Sequence, residues 1–249
     1  MKKIIYIALL LLSMGCDSNK GWDCVQAAGN IVSKDVSVPS FTKIIVWDRI
    51  KLYIEQGDEH HVRVETGENL ISNIVVSVSG GKLEIRNNYG CNLVRDYGLT
   101  KVYVTAPDIT EIRSSTGYAV ESIGVLSYPS LTLLSEDQQN EDQYQIDGDF
   151  KLNLEVENLN IVANGLSTFY LSGTADFASF GLYAGDSRIF SEDLIVQTLY
   201  VYHRSTAEMV VNPQLTIRGK ILSVGNVISK HRPPIIEVEE YYRGRLIFQ

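Results

Sequence analysis

Proline, methionine, cysteine and tryptophan are all scarce here: six, three, three and two among 249 residues. So few cysteines exclude a disulfide-dense scaffold, and none are spaced C-x-x-C, so neither a zinc ribbon nor a dithiol redox pair is written in the chain. Long apolar runs are missing too. The one continuous run, IIYIALLLL at residues 4–12, is too short to cross a bilayer. Basic residues are outnumbered, 22 Lys and Arg against 30 Asp and Glu, for a net charge of −8. An acidic chain repels a phosphate backbone, which argues against a nucleic-acid partner. No segment carries apolar residues at helical spacing over the length of an ordinary helix. Gly-x-Ser-x-Gly, phosphate-loop, dinucleotide-binding and calcium-repeat glycine patterns are all absent, so no cofactor and no metal is expected.

What is present starts at the N-terminus. Lys2 and Lys3 precede the apolar run, and Ser13-Met14-Gly15-Cys16 follows it. Charge, apolar stretch and small residues in that order predict a secretory signal over residues 1–15. The Gly-Cys ending resembles the lipobox of bacterial lipoproteins, in which Cys16 would carry diacylglycerol and become the mature N-terminus. Residues 16–30, beginning CDSNKG, then form a polar tether, and residues 31–249 form the body. The expected partner of Cys16 is a membrane, held through the lipid anchor. Without its signal the chain has only Cys24 and Cys91 as thiols. Two cysteines in an oxidising envelope pair more often than they stay free, so a Cys24–Cys91 disulfide is expected.

From Phe41 onward nearly everything alternates with period two. RIKLYIEQG sets Ile50, Leu52 and Ile54 against Lys51, Tyr53 and Glu55, and HHVRVE puts Val62 and Val64 on one face. IVVSVSGGKLEIRNN reads as two strands around Gly80-Gly81, a hairpin. A single helical turn is expected in GENLISNI. After Pro107 the pattern changes. VANGLSTFYLSG (Val162 to Gly173), LYAGDSRIFSED (Leu182 to Asp193) and VYHRSTAEMVVN (Val201 to Asn212) each run from small residues through a polar tip into apolar alternation. The tips fall at Ser167, Ser187 and Ser205, a solenoid-like period. A strand unit of about twenty residues cannot bury its own apolar face, but stacked units bury one another's. A β-sandwich, with regular short strands, is the alternative, and the first half is compatible with either.

The N-terminal half carries a family resemblance in Phe41/Ile44, Gln56-Gly57, Gly67-Glu68-Asn69-Leu70 and Gly80-Gly81-Lys82-Leu83-Glu84-Ile85. With LTIRGKILSVGNVISKHRPPIIEV near the end, it is similar to the putative auto-transporter adhesin, head GIN domain family over about residues 30 to 238. The resemblance implies an all-β, right-handed parallel β-helix-like architecture with a more hairpin-rich N-terminal half. It also implies an envelope location, here read as an outer-membrane lipoprotein of a Gram-negative bacterium. The family has no established catalytic residues. The chain departs from it at the rung tips, where bulkier pairs such as Ser187-Arg188 and Arg204-Ser205 replace Ser-Gly-Ser-Gly.

The expected function is therefore non-catalytic binding or adhesion through a rigid β-solenoid face, toward a glycan or protein ligand at the cell surface. The alternatives are a carbohydrate-active β-helix enzyme and a purely structural envelope component. An enzyme needs converging acids. The dense acids Glu136, Asp137, Glu141 and Asp142 lie in a Gln-rich run that reads as a solvated loop. His60-His61 points to opposite sides of an extended chain and cannot ligate one metal without a turn. His203 and His231 read as surface residues, and most of Tyr170, Tyr183, Tyr200 and Tyr202 as core or ladder. Candidate binding residues are Asp186, Arg188 and Arg204, projecting beside a stacked row of Ser167, Ser187 and Ser205, with no acid–base pair expected among them.

Overall fold

The computed structural model describes residues 24–88, 92–138, 140 and 143–249. Cys16, Cys91, Glu141, Asp142 and the signal segment lie outside the described residues. The protein is all-β, with 18 strands in one continuous sheet that folds back on itself around a single core. Among the described residues the one full helical turn is a 3₁₀ turn at Ile71–Asn73, inside GENLISNI.

The C-terminal part is the simplest to follow. Strands β11 (Phe150–Ala163), β12 (Thr168–Leu182) and β13 (Arg188–His203) lie parallel in sequential order. After them the rung divides. β14 (Met209–Val211), β16 (Val227–Ser229) and β18 (Leu246–Phe248) continue from the first half of β13, while β15 (Pro213–Ile221) and β17 (Ile235–Glu240) continue from its second half. Phe150, Phe169, Ile189, Met209, Val227 and Leu246 are register partners in one column, about twenty residues apart as the tips predicted. Leu159, Ala178, Leu199, Ile217 and Ile236 form a second column. Each long strand therefore serves two ladders. Alternation inward and outward breaks at its corners, where Glu157 and Asn158, or Glu192 and Asp193, are exposed in succession.

The N-terminal part keeps both ladders but abandons sequence order. β2 (Lys43–Trp47) and β3 (Lys51–Gln56) form a rung placed between two later ones. On one side lie β8 (Glu111–Ser115) and β9 (Val120–Leu126); on the other lie β6 (Lys82–Asn87) and β7 (Lys101–Ala106). β8 continues through β10 (Ser130–Ser135), and both ladders rejoin at β11. The outer end is covered by antiparallel strands. β4 (His61–Gly67) lies against β7, β1 (Ile31–Val36) against β4, and β5 (Ile74–Ser79) against β6. The β5–β6 turn is Gly80-Gly81, both left-handed at φ +58° and +74°, as a two-residue hairpin requires. The hairpin-rich N-terminal half thus closes one end of the stack rather than forming a separate sandwich.

The core is apolar and continuous. Ile44, Leu52, Ile54, Leu83, Val102, Ile112, Leu133, Phe150, Phe169, Phe180 and Val201 are all essentially inaccessible. Phe150 and Phe169 stack nearly face to face at 4.8 Å between adjacent rungs. The glycines follow from the rung spacing. A Cβ on Gly219 (φ +132°) would sit 1.9 Å from the Val201 carbonyl oxygen of the neighbouring rung, so only glycine fits.

Candidate functional site

The corner serines behave only partly as expected. Ser167, Ser187 and Ser205 do stack with Ser135, but all four are buried, facing the interior. The Ser135 and Ser167 hydroxyls are 2.6 Å apart, and the Ser205 hydroxyl donates to the Ser187 carbonyl at 2.8 Å. The residues between them project outward. Asp186 is half-buried and Arg188 exposed, and Arg204 is exposed at the next corner. The expectation that no acid and base would pair there is wrong. Asp186 and Arg188 are two residues apart on one side of the turn and form an ion pair at 2.9 Å. Thr206 also donates to Asp186 at 2.6 Å, and that bond, followed by Arg188, holds the Asp186 carboxyl below its ordinary pKa. Arg204 joins no ion pair among the described residues.

His203 corrects a second expectation. It is fully buried, because it shares the inward parity of Leu199 and Val201 at the end of β13. Neither ring nitrogen makes a hydrogen bond of ordinary geometry; its nearest polar neighbours are the backbones of Ala207 and Gly225. Burial lowers its pKa to about 4, so the ring is neutral near pH 7. His60 and His61 diverge: His60 contacts the Phe41 carbonyl, and His61 contacts Asp35 at 3.0 Å. His231 is exposed as expected. No group of three His, Cys, Asp or Glu among the described residues is placed to hold a metal.

Glu136 is not a free loop acid. Arg113 reaches it at 2.6 Å with both side chains mostly buried, and Asp137 accepts from Asn164 at 2.8 Å. Of the tyrosines read as core or ladder, Tyr170, Tyr183 and Tyr202 are outward-facing members of stacked ladders rather than core. Tyr183 and Tyr202 stack at 4.9 Å on one face. Tyr170 and Phe190 stack at 5.6 Å on the other.

That second face carries the more developed surface. Register places Arg63, Tyr103, Tyr53, Glu121, Lys151, Tyr170 and Phe190 in one outward row across seven strands. Tyr53 and Tyr103 stack at 5.1 Å, with the Arg63 guanidinium over the Tyr103 ring at 4.6 Å. Partial burial, then the Glu121 carboxylate, raises the Tyr53 pKa. Beside the row the pairing slips. β9 and β11 lose register between Lys151 and Asn153, and β12 and β13 between Tyr170 and Ser172. The two slips stand at one level on either side of the regularly paired β11 and β12, and an open groove of about 420 Å³ lies between them. Tyr170 and Phe190 form its apolar side, with Glu121, Asn153, Glu192 and Asp193 around it. Phe190 also borders a second hollow of about 330 Å³ that contains Asp186, Arg188 and Thr206. The structure thus brings the predicted Asp186 and Arg188 to a surface whose aromatic floor is an outward ladder of Tyr170 on Phe190.

At the covered end, residues before β1 lie along the turn after β4 and along residues 92–95. Leu93 N–H donates to the Cys24 carbonyl at 2.9 Å, and Arg95 donates to the Gln26 carbonyl at 2.9 Å.

No curated protein matches the chain. Solved structures do. A putative adhesin from Bacteroides fragilis NCTC 9343 superposes with a TM-score of 0.79 at 18% identity, covering 90% of this chain and 100% of its own. A putative lipid binding protein from Parabacteroides distasonis ATCC 8503 gives 0.62 at 17% identity, covering 88% and 97%. A putative adhesin from Parabacteroides merdae ATCC 43184 gives 0.62 at 15% identity, covering 91% and 99%. At such identities the likeness is one of fold. The sequence match is more specific: residues 40–233, most of the two ladders, fit the family described as putative auto-transporter adhesin, head GIN domain, and the chain belongs to that family.

Proposed function

We propose that this is a lipid-anchored protein of the bacterial cell envelope with a non-catalytic binding or adhesion role. Family membership supports an adhesin-like surface role. The observation that carries the reading is the outward row from Arg63 to Phe190, in which stacked aromatics stand on a continuous core. Sequential rungs give a stiff, extended face, and many weak contacts along such a face add through multivalency. In this reading the stack is a right-handed parallel β-helix, supported by the parallel columns spaced about twenty residues. Residues 1–15 are removed, Cys16 is acylated, residues 16–30 are the tether, and residues 31–249 form the displayed body on the outer membrane of a Gram-negative cell. Cys24 pairs with Cys91, a reading supported by the contact of Leu93 with Cys24. Asp186, Arg188 and Arg204 contribute to the contact surface at the corner. Glycans or proteins at the cell surface are the partners.

The test sets retention against turnover. Purified protein is incubated with a panel of cell surfaces and polysaccharides, and both bound protein and new reducing ends are measured. Retention without product is expected. Chain cleavage that grows with time would replace the binding role with a carbohydrate-active enzyme.

A further inference from the structure

The groove between the two slips has a chemistry of its own, and it narrows the class of ligand. Three features coincide there. Its apolar side is a pair of stacked rings, Tyr170 and Phe190, of which Tyr170 is 44% exposed. Around the rings stand the carboxylates of Glu121, Glu192 and Asp193 and the amide of Asn153, against one cation, Lys151. The pairing is irregular on both flanks of the groove, at β9–β11 and at β12–β13, and such slips re-aim side chains that a regular strand would hold perpendicular to the sheet.

An aromatic face with carboxylates and amides at its rim suits a molecule that is apolar on one side and rich in hydroxyls at its edge. A pyranose ring has that form: its C–H face lies on an aromatic ring while its hydroxyls donate to carboxylate and amide oxygens. The charge excludes one subclass. With three acids to one lysine, a uronate, sulfate or phosphate would meet net repulsion. The adjoining hollow does not reverse this, because Asp186 already neutralises its Arg188. Around the corner a further opening is lined by Glu155, Glu157 and Asp176 with no base. Phe190 borders both the groove and the hollow at Asp186, so the surface is long enough for more than one ring.

We propose that the groove at Tyr170 and Phe190 is a binding subsite for an uncharged glycan chain, stacked on those two rings and hydrogen-bonded by Glu121, Asn153, Glu192 and Asp193. This rests on the binding role proposed above and names its ligand class.

The test is calorimetric titration of the full chain with cellohexaose, chitohexaose and hexagalacturonate, plus a lysine-rich peptide as the cationic alternative. At least one neutral oligosaccharide binds, and hexagalacturonate binds at least tenfold more weakly. Tyr170→Ala and Phe190→Ala each weaken neutral binding by about tenfold, the scale of one lost aromatic contact. Tyr170→Trp retains binding, which separates loss of the platform from loss of fold, and unchanged thermal unfolding of Tyr170→Ala makes the same check. The proposal is overturned if hexagalacturonate binds as tightly as the neutral chains, if only the peptide binds, if neutral binding survives both alanine variants, or if no oligosaccharide binds. In that last case, retention on cell surfaces would leave the attachment role standing and remove the glycan alone.

Discussion

The two ends of this molecule solve the same packing problem in different ways. From β11 onward each rung lies on the one written just before it, parallel and about twenty residues on. Before β10 the chain places β2 and β3 between rungs that come much later, and closes the end with antiparallel β1, β4 and β5. Both arrangements bury the same kind of column: Ile44 on Ile112 in one, Ile161 on Phe180 in the other. What differs is what remains outside. The sequential region leaves long, unobstructed outward rows. The covered end spends part of its sheet on sealing the core, where an unpaired apolar edge would otherwise be open to association. Closure belongs to the N-terminal region alone, while display is shared, since the outward row runs from Phe190 back to Tyr53, Tyr103 and Arg63.

If that contrast is right, the largest losses of stability come from the sequential core. Phe169→Ala removes a fully buried ring stacked on Phe150 and should cost about 3–5 kcal/mol in denaturant unfolding. A loss below about 1 kcal/mol would mean that the columns are not packed as described. Glycines sharpen the contrast. Gly219→Ala in β15 combines a left-handed φ with a backbone clash and should cost about 3 kcal/mol or more. Gly80→Ala in the covering hairpin has open space around it and should cost about 1 kcal/mol, the conformational term alone. Equal costs at the two sites would break the comparison.

His203 gives the sequential region a pH dependence. Its pKa is lowered from 6.5 to about 4, so the unfolded chain takes up a proton that the folded one refuses. Stability from this group is complete above pH 6.5 and declines as the pH falls toward 4, by up to about 3 kcal/mol. A His203→Phe variant should show a flatter stability profile between pH 6.5 and 4, and an unchanged slope would relocate the effect. The smallest effect belongs to the corner. Asp186→Ala with Arg188→Ala removes an exposed ion pair and should change stability by less than about 0.5 kcal/mol, measured by thermal unfolding.

The same contrast decides what could be read from residues alone. The rungs at Ser167, Ser187 and Ser205 were legible because tip and strand recur in order, and Gly80-Gly81 was legible because its turn is local. The insertion of β2 and β3 between later rungs was not, since pairings such as Ile44 with Ile112 leave no local signal. Parity within the strands was available and underused. Phe169 and Leu171 face inward, so Tyr170 must face outward; Leu199 and Val201 face inward, so His203 does too. The bulges were hidden, because an extra residue at Ser191-Glu192 alters register without altering composition. The groove's floor was therefore within reach of the sequence, and its rim was not.

The central claim is that the aromatic end of the outward row, on the sequential stack, makes the contact, while the β5 hairpin at the covered end only closes the core. Retention of the purified chain on a panel of cell surfaces tests it directly, comparing the parent with a Tyr170→Ala/Phe190→Ala variant and with Val75→Ser on the outer side of β5, where Val75 is 40% exposed. The account predicts that retention falls about tenfold or more for the double variant and stays unchanged for Val75→Ser. Unchanged retention in the double variant, or its loss in Val75→Ser, would contradict it.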